Sequence, residues 1–305
     1  MSKTILITGA TGKQGGSVIS NLIQQNADVE ILAVTRDVNT PSSKKLAAKS
    51  PKIKLVQGNL DQPDEIFRSA KKATSQPIWG VYSVQVADFS KKSGINIEEK
   101  QGRELVEVAI ENNVKHIVYS SVDRGGDKSI NNPTAVPHFL SKHNIEKHLI
   151  EKTKGTSTTW TILRPVAFFD GSFVAGFVGK VFATVWKTAL KGKPLQVIAV
   201  SDIGFFGAEA FLKPEEWSRR AISLAGDELT FDQLATVFKS TTGKPLPTTF
   251  DIFGRLFLTL ASEFAAIFKF FLEDGYKADI QAARKIHPGL KDFKAWLETE
   301  SDWAK

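Results

Sequence analysis

The sequence predicts a doubly wound α/β domain, a parallel sheet with helices on both faces, extended by a smaller, mostly helical C-terminal part. Three observations predict it. Short apolar runs alternate with amphipathic stretches up to residue 165, a Gly9, Gly12, Gly15 loop joins the first run directly to the first amphipathic stretch, and beyond residue 165 the alternation stops while phenylalanine becomes dense. Parallel neighbours need long crossovers, usually helices, so this alternation implies βαβ units with right-handed connections.

Thr4–Thr8 (TILIT) reads as the first strand. Gly12–Gln25 follows as a helix with Val18, Ile19, Leu22 and Ile23 on one face. Val29–Val34 and Ile53–Gln57 are the next two strands. Pro63–Lys72 is a helix, with proline at its start and Asp64 and Glu65 near the positive end of the dipole. Ile78–Val84 is the fourth strand, Ile97–Asn113 a helix carrying Leu105, Val106, Ala109 and Ile110, and Val114–Ser121 the fifth strand. Pro137–Lys152 is a helix and Thr158–Leu163 the sixth strand, closed by Arg164-Pro165. Near-continuous apolar strands such as ILIT and IVYSS fit burial from both faces. Helices are then expected over Val174–Leu190, Pro214–Leu224, Thr230–Thr241, Phe253–Leu272 and Leu290–Glu298. The expected division is a dinucleotide-binding core over 1–165 and a substrate- or partner-binding part over 166–305, interleaved with the core.

Composition removes several function classes. The 305 residues are 42% hydrophobic and 24% charged, as in ordinary globular proteins. There is no cysteine, which excludes disulfides, a thiolate nucleophile, an Fe–S cluster and a Cys-type zinc site. The five histidines (116, 138, 143, 148, 287) have no zinc spacing, and no metal is expected. A net charge of +7 suits an anionic ligand, but no dense Lys/Arg run or recognition helix points to nucleic acid. Ile252 to Leu272 is long enough to consider as a membrane span. It carries Arg255, Glu263 and Lys269, so a buried or partner-facing helix is the expectation. No secretion signal is read at MSKTILITGA, and the default compartment is the cytosol.

Gly9, Gly12 and Gly15 form G-x-x-G-x-x-G between a strand and a helix. The chain must turn sharply there, approach a diphosphate closely and pack its helix near the strand, and helix-start N–H groups then meet the phosphate charge. An NAD-preferring site usually places Asp or Glu after the second strand. Here Thr35-Arg36 stands there, and a guanidinium pairs with a 2′-phosphate, which argues for NADP(H). Asp37 is adjacent and blunts the preference. Gly58-Asn59-Leu60-Asp61 is placed to line an adenine pocket. Ser120-Ser121 ends the fifth strand, and the residues do not say which serine faces the cofactor. His138 and Lys142 lie four apart on one helical face. A short-chain dehydrogenase has Tyr and Lys at this spacing; a histidine there can serve as an acid or base near neutrality, or simply face solvent. Leu163 to Phe169 leaves the sixth strand at the same edge. Phe168, Phe169, Phe173, Phe177, Phe182 and Trp186 read either as an apolar pocket or as core. There is no G-x-S-x-G elbow.

These residues together resemble the NmrA-like family, a branch of atypical short-chain dehydrogenases. The marks are ILITGATGKQGGSVI, VTR, GNLDQ, VKHIVYSSV, HFLSKHNIEKHL, TILRPVAFFD and VSDIGFFGAEAFLKPEEWSRRAISLAGDELT, running from residue 4 to about 242. Phe250 onward is less family-defining. The resemblance implies a Rossmann domain with a smaller α/β extension, usually preferring NADP(H). It implies that Gly9, Thr11, Gly12, Gln14 and Gly15 hold the pyrophosphate and Arg36 the ribose phosphate. Asn59 and Leu60 would flank adenine, Ser83, Val84 and Gln85 would lie beside the dinucleotide, and Lys142 would reach the nicotinamide side with Phe168 beside it. Some members reduce quinones, dyes or phenolic compounds; others bind the dinucleotide and relay redox state to a protein partner. The expected function is hydride transfer between NADPH and an apolar carbonyl, enone or quinone-type molecule, with Lys142 and His138 at the chemistry. The alternative is a non-catalytic NADP(H) sensor that binds a protein through Phe253–Leu272, a segment that otherwise reads as internal packing or a homodimer seam.

Overall fold

The computed structural model describes residues 2–87, 94–173 and 176–303. Their first half runs β1 (Lys3–Ile7), α1 (Lys13–Gln24), β2 (Val29–Thr35), α2 (Pro41–Ala47), β3 (Ile53–Gln57), α3 (Pro63–Ala73), β4 (Ile78–Ser83), α4 (Gly94–Glu111), β5 (His116–Ser120), α5 (Pro137–Lys152) and β6 (Thr159–Pro165). The second half runs β7 (Ala167–Phe168), α6 (Phe169–Ser172), α7 (Phe177–Ala189), β8 (Leu195–Ile198), α8 (Val200–Leu212), α9 (Pro214–Trp217), β9 (Arg220–Leu224), β10 (Asp227–Leu229), α10 (Phe231–Thr242), α11 (Asp251–Leu260), α12 (Ser262–Glu273), α13 (Ile280–Ile286) and α14 (Phe293–Thr299). Two compact units result. One comprises residues 1–121, 141–163 and 203–221, the other 122–140, 164–202 and 222–305.

The first unit is built on a sheet of order β3-β2-β1-β4-β5-β6-β9. β1 pairs in parallel with both β2 and β4, and the parallel register continues through β2–β3, β4–β5 and β5–β6. The chain leaves β1 toward β2 on one side and returns to β4 on the other. The loops after β1 and β4 therefore diverge, and such a switch point opens a crevice at the carboxyl ends of the strands. Ile5, Leu6 and Ile7 are fully buried, as a strand covered on both faces requires. The expected doubly wound sheet is present.

Glycines let helices reach this unit closely. A Cβ on Gly204 of α8 would sit 2.0 Å from Ser17 Oγ, and one on Gly207 would sit 2.7 Å from Val18 Cγ2, so α8 lies directly on α1. At the opposite strand ends, His116 is fully buried between Thr159 Oγ1 (2.7 Å) and Thr161 Oγ1 (3.0 Å), with Trp79 and Phe211 rings beside it. Burial, and secondarily the Lys3 charge, pushes its pKa down to about 4. The unfolded chain then binds a proton that the folded chain refuses between that value and the ordinary one near 6.5. This contribution is intact above pH 6.5 and lost as pH falls toward 4, by about 3 kcal/mol. His116→Gln should flatten the wild-type decline in melting temperature across that window. An unchanged pH slope in the variant would contradict the assignment.

The second unit contains a small sheet that the sequence reading missed: β7 pairs in parallel with β8, and β10 pairs antiparallel to β8. Phe169, Phe173 and Trp186 are buried, and rings of Phe169 and Phe173 lie 5.4 and 5.2 Å from Phe293. They are core, whereas Phe177 is exposed. Asp202 accepts from the Lys291 backbone N–H (2.9 Å) and lies 3.0 Å from His287 Nε2, which ties the C-terminal segment down.

Three expected helices change. Pro214–Leu224 is a single turn, α9, followed by Arg219 at φ +58° and the strand β9. The break at Arg219 and pairing into the sheet override helical preference. Phe253–Leu272 is two helices parted at Ala261, whose φ −110° and ψ 77° are not helical. Of Val174–Leu190, residues 174 and 175 lie outside the described residues, and α7 begins at Phe177. Among the described residues no helix is long and apolar enough to cross a membrane.

Candidate functional site

The glycine loop lies where β1 ends and α1 begins. Gly9 adopts φ +59°, a left-handed conformation suited to glycine, and the Gly12 N–H donates to Gly9 O at 2.9 Å. A Cβ on Gly15 would stand 2.5 Å from both Thr8 O and Gly9 O, so the helix start presses against the loop backbone. α1 opens at Gly12 with no side-chain cap and no acid in its first turn. The first N–H groups of a helix have no acceptor within it, and the dipole favours an anion there. A strand–loop–helix corner whose Gly12 N-cap supplies no side-chain acceptor to the helix start fits a diphosphate. Thr11 is exposed beside it.

Side chains from the neighbouring strands fasten this corner. Thr8 Oγ1 accepts the Val84 N–H (2.9 Å) and donates to Tyr82 O (3.0 Å), which ties β1 to the segment after β4. Val84 fills the space beside Gly9, where a Cβ would meet its Cγ1 at 2.9 Å. Ser83, Val84 and Gln85 are all buried, with Gln85 Nε2 donating to Ser83 Oγ at 2.9 Å. The Gln14 side chain turns into the sheet. Its Oε1 accepts from Ser120 Oγ (2.6 Å) and Tyr82 OH (3.4 Å).

Arg36 is exposed immediately beyond β2. The Asp37 carboxylate beside it accepts the Asn39 N–H at 2.8 Å, and the Asp37 carbonyl accepts from Ser43 Oγ at 2.7 Å. The start of α2, capped by Thr40, thus fixes the turn that carries the guanidinium. Sequence reasoning missed this short helix. The Gly58 N–H donates to Thr35 O (2.9 Å), which brings the turn after β3 beside Arg36. Asn59 folds onto that turn, with its Nδ2 donating to Asp61 Oδ2 at 2.9 Å, and Leu60 is half-buried against the core.

At the end of β5 the two serines diverge. Ser120 bonds to Gln14, on the glycine-loop side, and Ser121 Oγ donates to the buried Glu146 of α5. Lys142 is buried, with Nζ 3.3 Å from Ser120 O, 3.1 Å from Glu98 Oε1 and 5.7 Å from the Tyr119 ring centroid. Glu98 is itself fully buried, and its Oε2 accepts from Ser141 Oγ at 3.1 Å. The glycine loop, Gln14, Ser120 and Lys142 therefore form one connected set within the first unit. Sequence reasoning missed Glu98, although a signal existed. It falls on the inward stripe of α4 with Gly102, Leu105 and Ala109, where an acid is out of place.

His138 and Phe168 belong to the second unit. His138 is half-buried, its N–H donates to Glu263 Oε1 at 2.8 Å, and its ring lies 6.0 Å from that of Phe139. Phe168 is half-buried on β7, opposite Ile198 of β8. Among the described residues no cluster of His, Asp and Glu is arranged to hold a metal ion.

The model of the NmrA-like family matches residues 1–297. The chain is 27% identical over 272 residues to the NmrA-like family domain-containing oxidoreductase hkm9 of Aspergillus hancockii, covering 83% of this chain and 78% of that one. Two solved structures share its fold. A Citrobacter sp. triphenylmethane reductase complexed with NADP(H) matches with TM-score 0.71 and 17% identity, over 97% of this chain and 99% of that one. NmrA, a negative transcriptional regulator, in complex with NAD, matches with TM-score 0.68 and 16% identity, over 98% and 95%.

Proposed function

The chain belongs to the NmrA-like family, and on that premise we propose that it is an NADP(H)-dependent oxidoreductase acting on an apolar carbonyl, enone or quinone-type small molecule. The observation that carries this reading is the buried Lys142 ammonium at the end of β5, joined through Ser120 and Gln14 to an uncapped glycine-loop helix start. A bound dinucleotide supplies the hydride; the protein orients it and excludes water. Backbone N–H groups of the Gly9–Gly15 loop hold the diphosphate, and Arg36 pairs with the 2′-phosphate. Asn59 and Leu60 flank the adenine, and Ser83, Val84 and Gln85 line the path of the dinucleotide. Lys142 donates to the nicotinamide ribose. His138, four residues before Lys142, supplies a proton to the reduced substrate, and by family resemblance Phe168 flanks the nicotinamide, with residues 166–305 providing the substrate surface. The relatives named above, an oxidoreductase and a reductase complexed with NADP(H), support this reading.

The test is calorimetric titration with NADPH and NADH, followed by loss of NADPH absorbance against a panel of quinones and enones. Saturable NADPH binding and turnover are expected. Lys142→Ala should cut turnover about 30-fold, the order of a lost charge-assisted hydrogen bond. Tight NADPH binding without turnover of any panel member would sink the enzyme reading and favour a second one. In that reading the protein is a dinucleotide sensor for a protein partner. Ile252, Leu256 and Leu260, spaced four apart along α11 and 66%, 50% and 78% exposed, favour it as an apolar outer face.

A further inference from the structure

We propose that Glu98 is a positioning residue for Lys142, holding the ammonium from α4 in the pose that meets the nicotinamide ribose. This deepens the assignment of Lys142 made above and depends on it. Glu98 is fully buried, and a buried carboxylate persists only with partners. Its two oxygens meet Lys142 Nζ (3.1 Å) and Ser141 Oγ (3.1 Å), so one carboxylate grips two consecutive residues of α5. α4 comes near enough because, one turn on, Gly102 has no side chain; a Cβ there would stand 2.5 Å from Ile145 Cδ1. Lysine is a mobile four-carbon stem with three N–H donors. Among the described residues the Ser120 carbonyl accepts one of them and the Glu98 carboxylate pairs with the ammonium as an ion, so N–H donor capacity remains for a ribose hydroxyl. The charge is neutralised and the stem ordered before any ligand arrives, so binding does not carry the ordering cost.

The experiment titrates NADPH and adenosine 2′,5′-bisphosphate, which lacks the nicotinamide half, into wild type, Glu98→Gln, Lys142→Met and the double variant, with melting temperatures recorded. Glu98→Gln should weaken NADPH about tenfold, leave the bisphosphate unchanged, and add nothing to the loss in Lys142→Met. A merely structural role would weaken both ligands together. Equal loss of both ligands, no loss of NADPH, or full additivity with Lys142→Met would overturn the role of Glu98 while the assignment of Lys142 stands. If Lys142→Met itself binds NADPH like wild type, that assignment fails and Glu98 goes with it. Should Glu98→Gln not fold, Glu98→Asp, which keeps the charge on a shorter arm, is read by the same ligand split.

Discussion

Arg36→Glu is expected to weaken NADPH binding about 100-fold while leaving NADH within about threefold of wild type, because only the former carries the 2′-phosphate. The side chain is exposed, so the Coulomb energy is modest, about 1 kcal/mol per unit charge pair at 4 Å in water. The substitution reverses one charge against a phosphate carrying nearly two, and it removes a fork that binds phosphate oxygens in pairs. The turn itself should survive, since its hydrogen bonds run through the Asp37 backbone, Thr40 and Ser43. Asp37 stays in place beside the substituted position, with its carboxylate accepting the Asn39 N–H. Salt supplies a control. NADPH affinity of the wild type should fall more steeply with ionic strength than that of the variant. Parallel losses for both dinucleotides in Arg36→Glu would remove Arg36 as the selector.

The parts of this site readable in the sequence are those whose cause is local. The first strand, the glycine loop and the first helix are contiguous, with period and glycine spacing agreeing, and β1 and α1 appear within a residue or so of expectation. The same holds for Pro63, which opens α3 with Asp64 and Glu65 behind it. What stayed hidden is set by distant partners. Ser120 and Gln14 are 106 positions apart, and nothing near either says that the serine turns toward the loop. α8 is almost entirely buried and apolar around its circumference, so it lacks the one-sided period that marks a surface helix. β8 is four residues long and β9 is fixed by its place in the sheet, which leaves both without a pattern of their own. The aromatic run after Arg164 was ambiguous for a related reason. A core ring and a pocket ring have the same composition, and only the contacts of Phe169 and Phe173 with Phe293 separate them.

Gly15→Ala should reduce binding of both dinucleotides more than 100-fold, the largest loss expected of any single methyl group in the chain. Gly15 needs no left-handed backbone, so the effect isolates close approach from dihedral strain. The added carbon would lie 2.5 Å from two carbonyl oxygens, both backbone, which cannot swing aside as a side chain can. Either α1 retreats from the loop or the loop opens, and each movement disperses the N–H groups proposed to hold the diphosphate. A graded series separates this from general destabilisation. Gly12→Ala meets only Gly9 O at 3.1 Å and should cost less, and Gly171→Ala has nothing within 4 Å and should be silent. Gly9→Ala adds positive-φ strain to a 2.9 Å contact with the buried Val84 side chain. The melting temperature of Gly15→Ala should fall by a few degrees, the consequence of about 1–3 kcal/mol of overpacking in a domain this size. Binding, by contrast, should be lost at temperatures where the protein is still folded. Wild-type affinity in Gly15→Ala would mean that the corner does not hold the diphosphate at all, whatever Arg36 and Lys142 contribute.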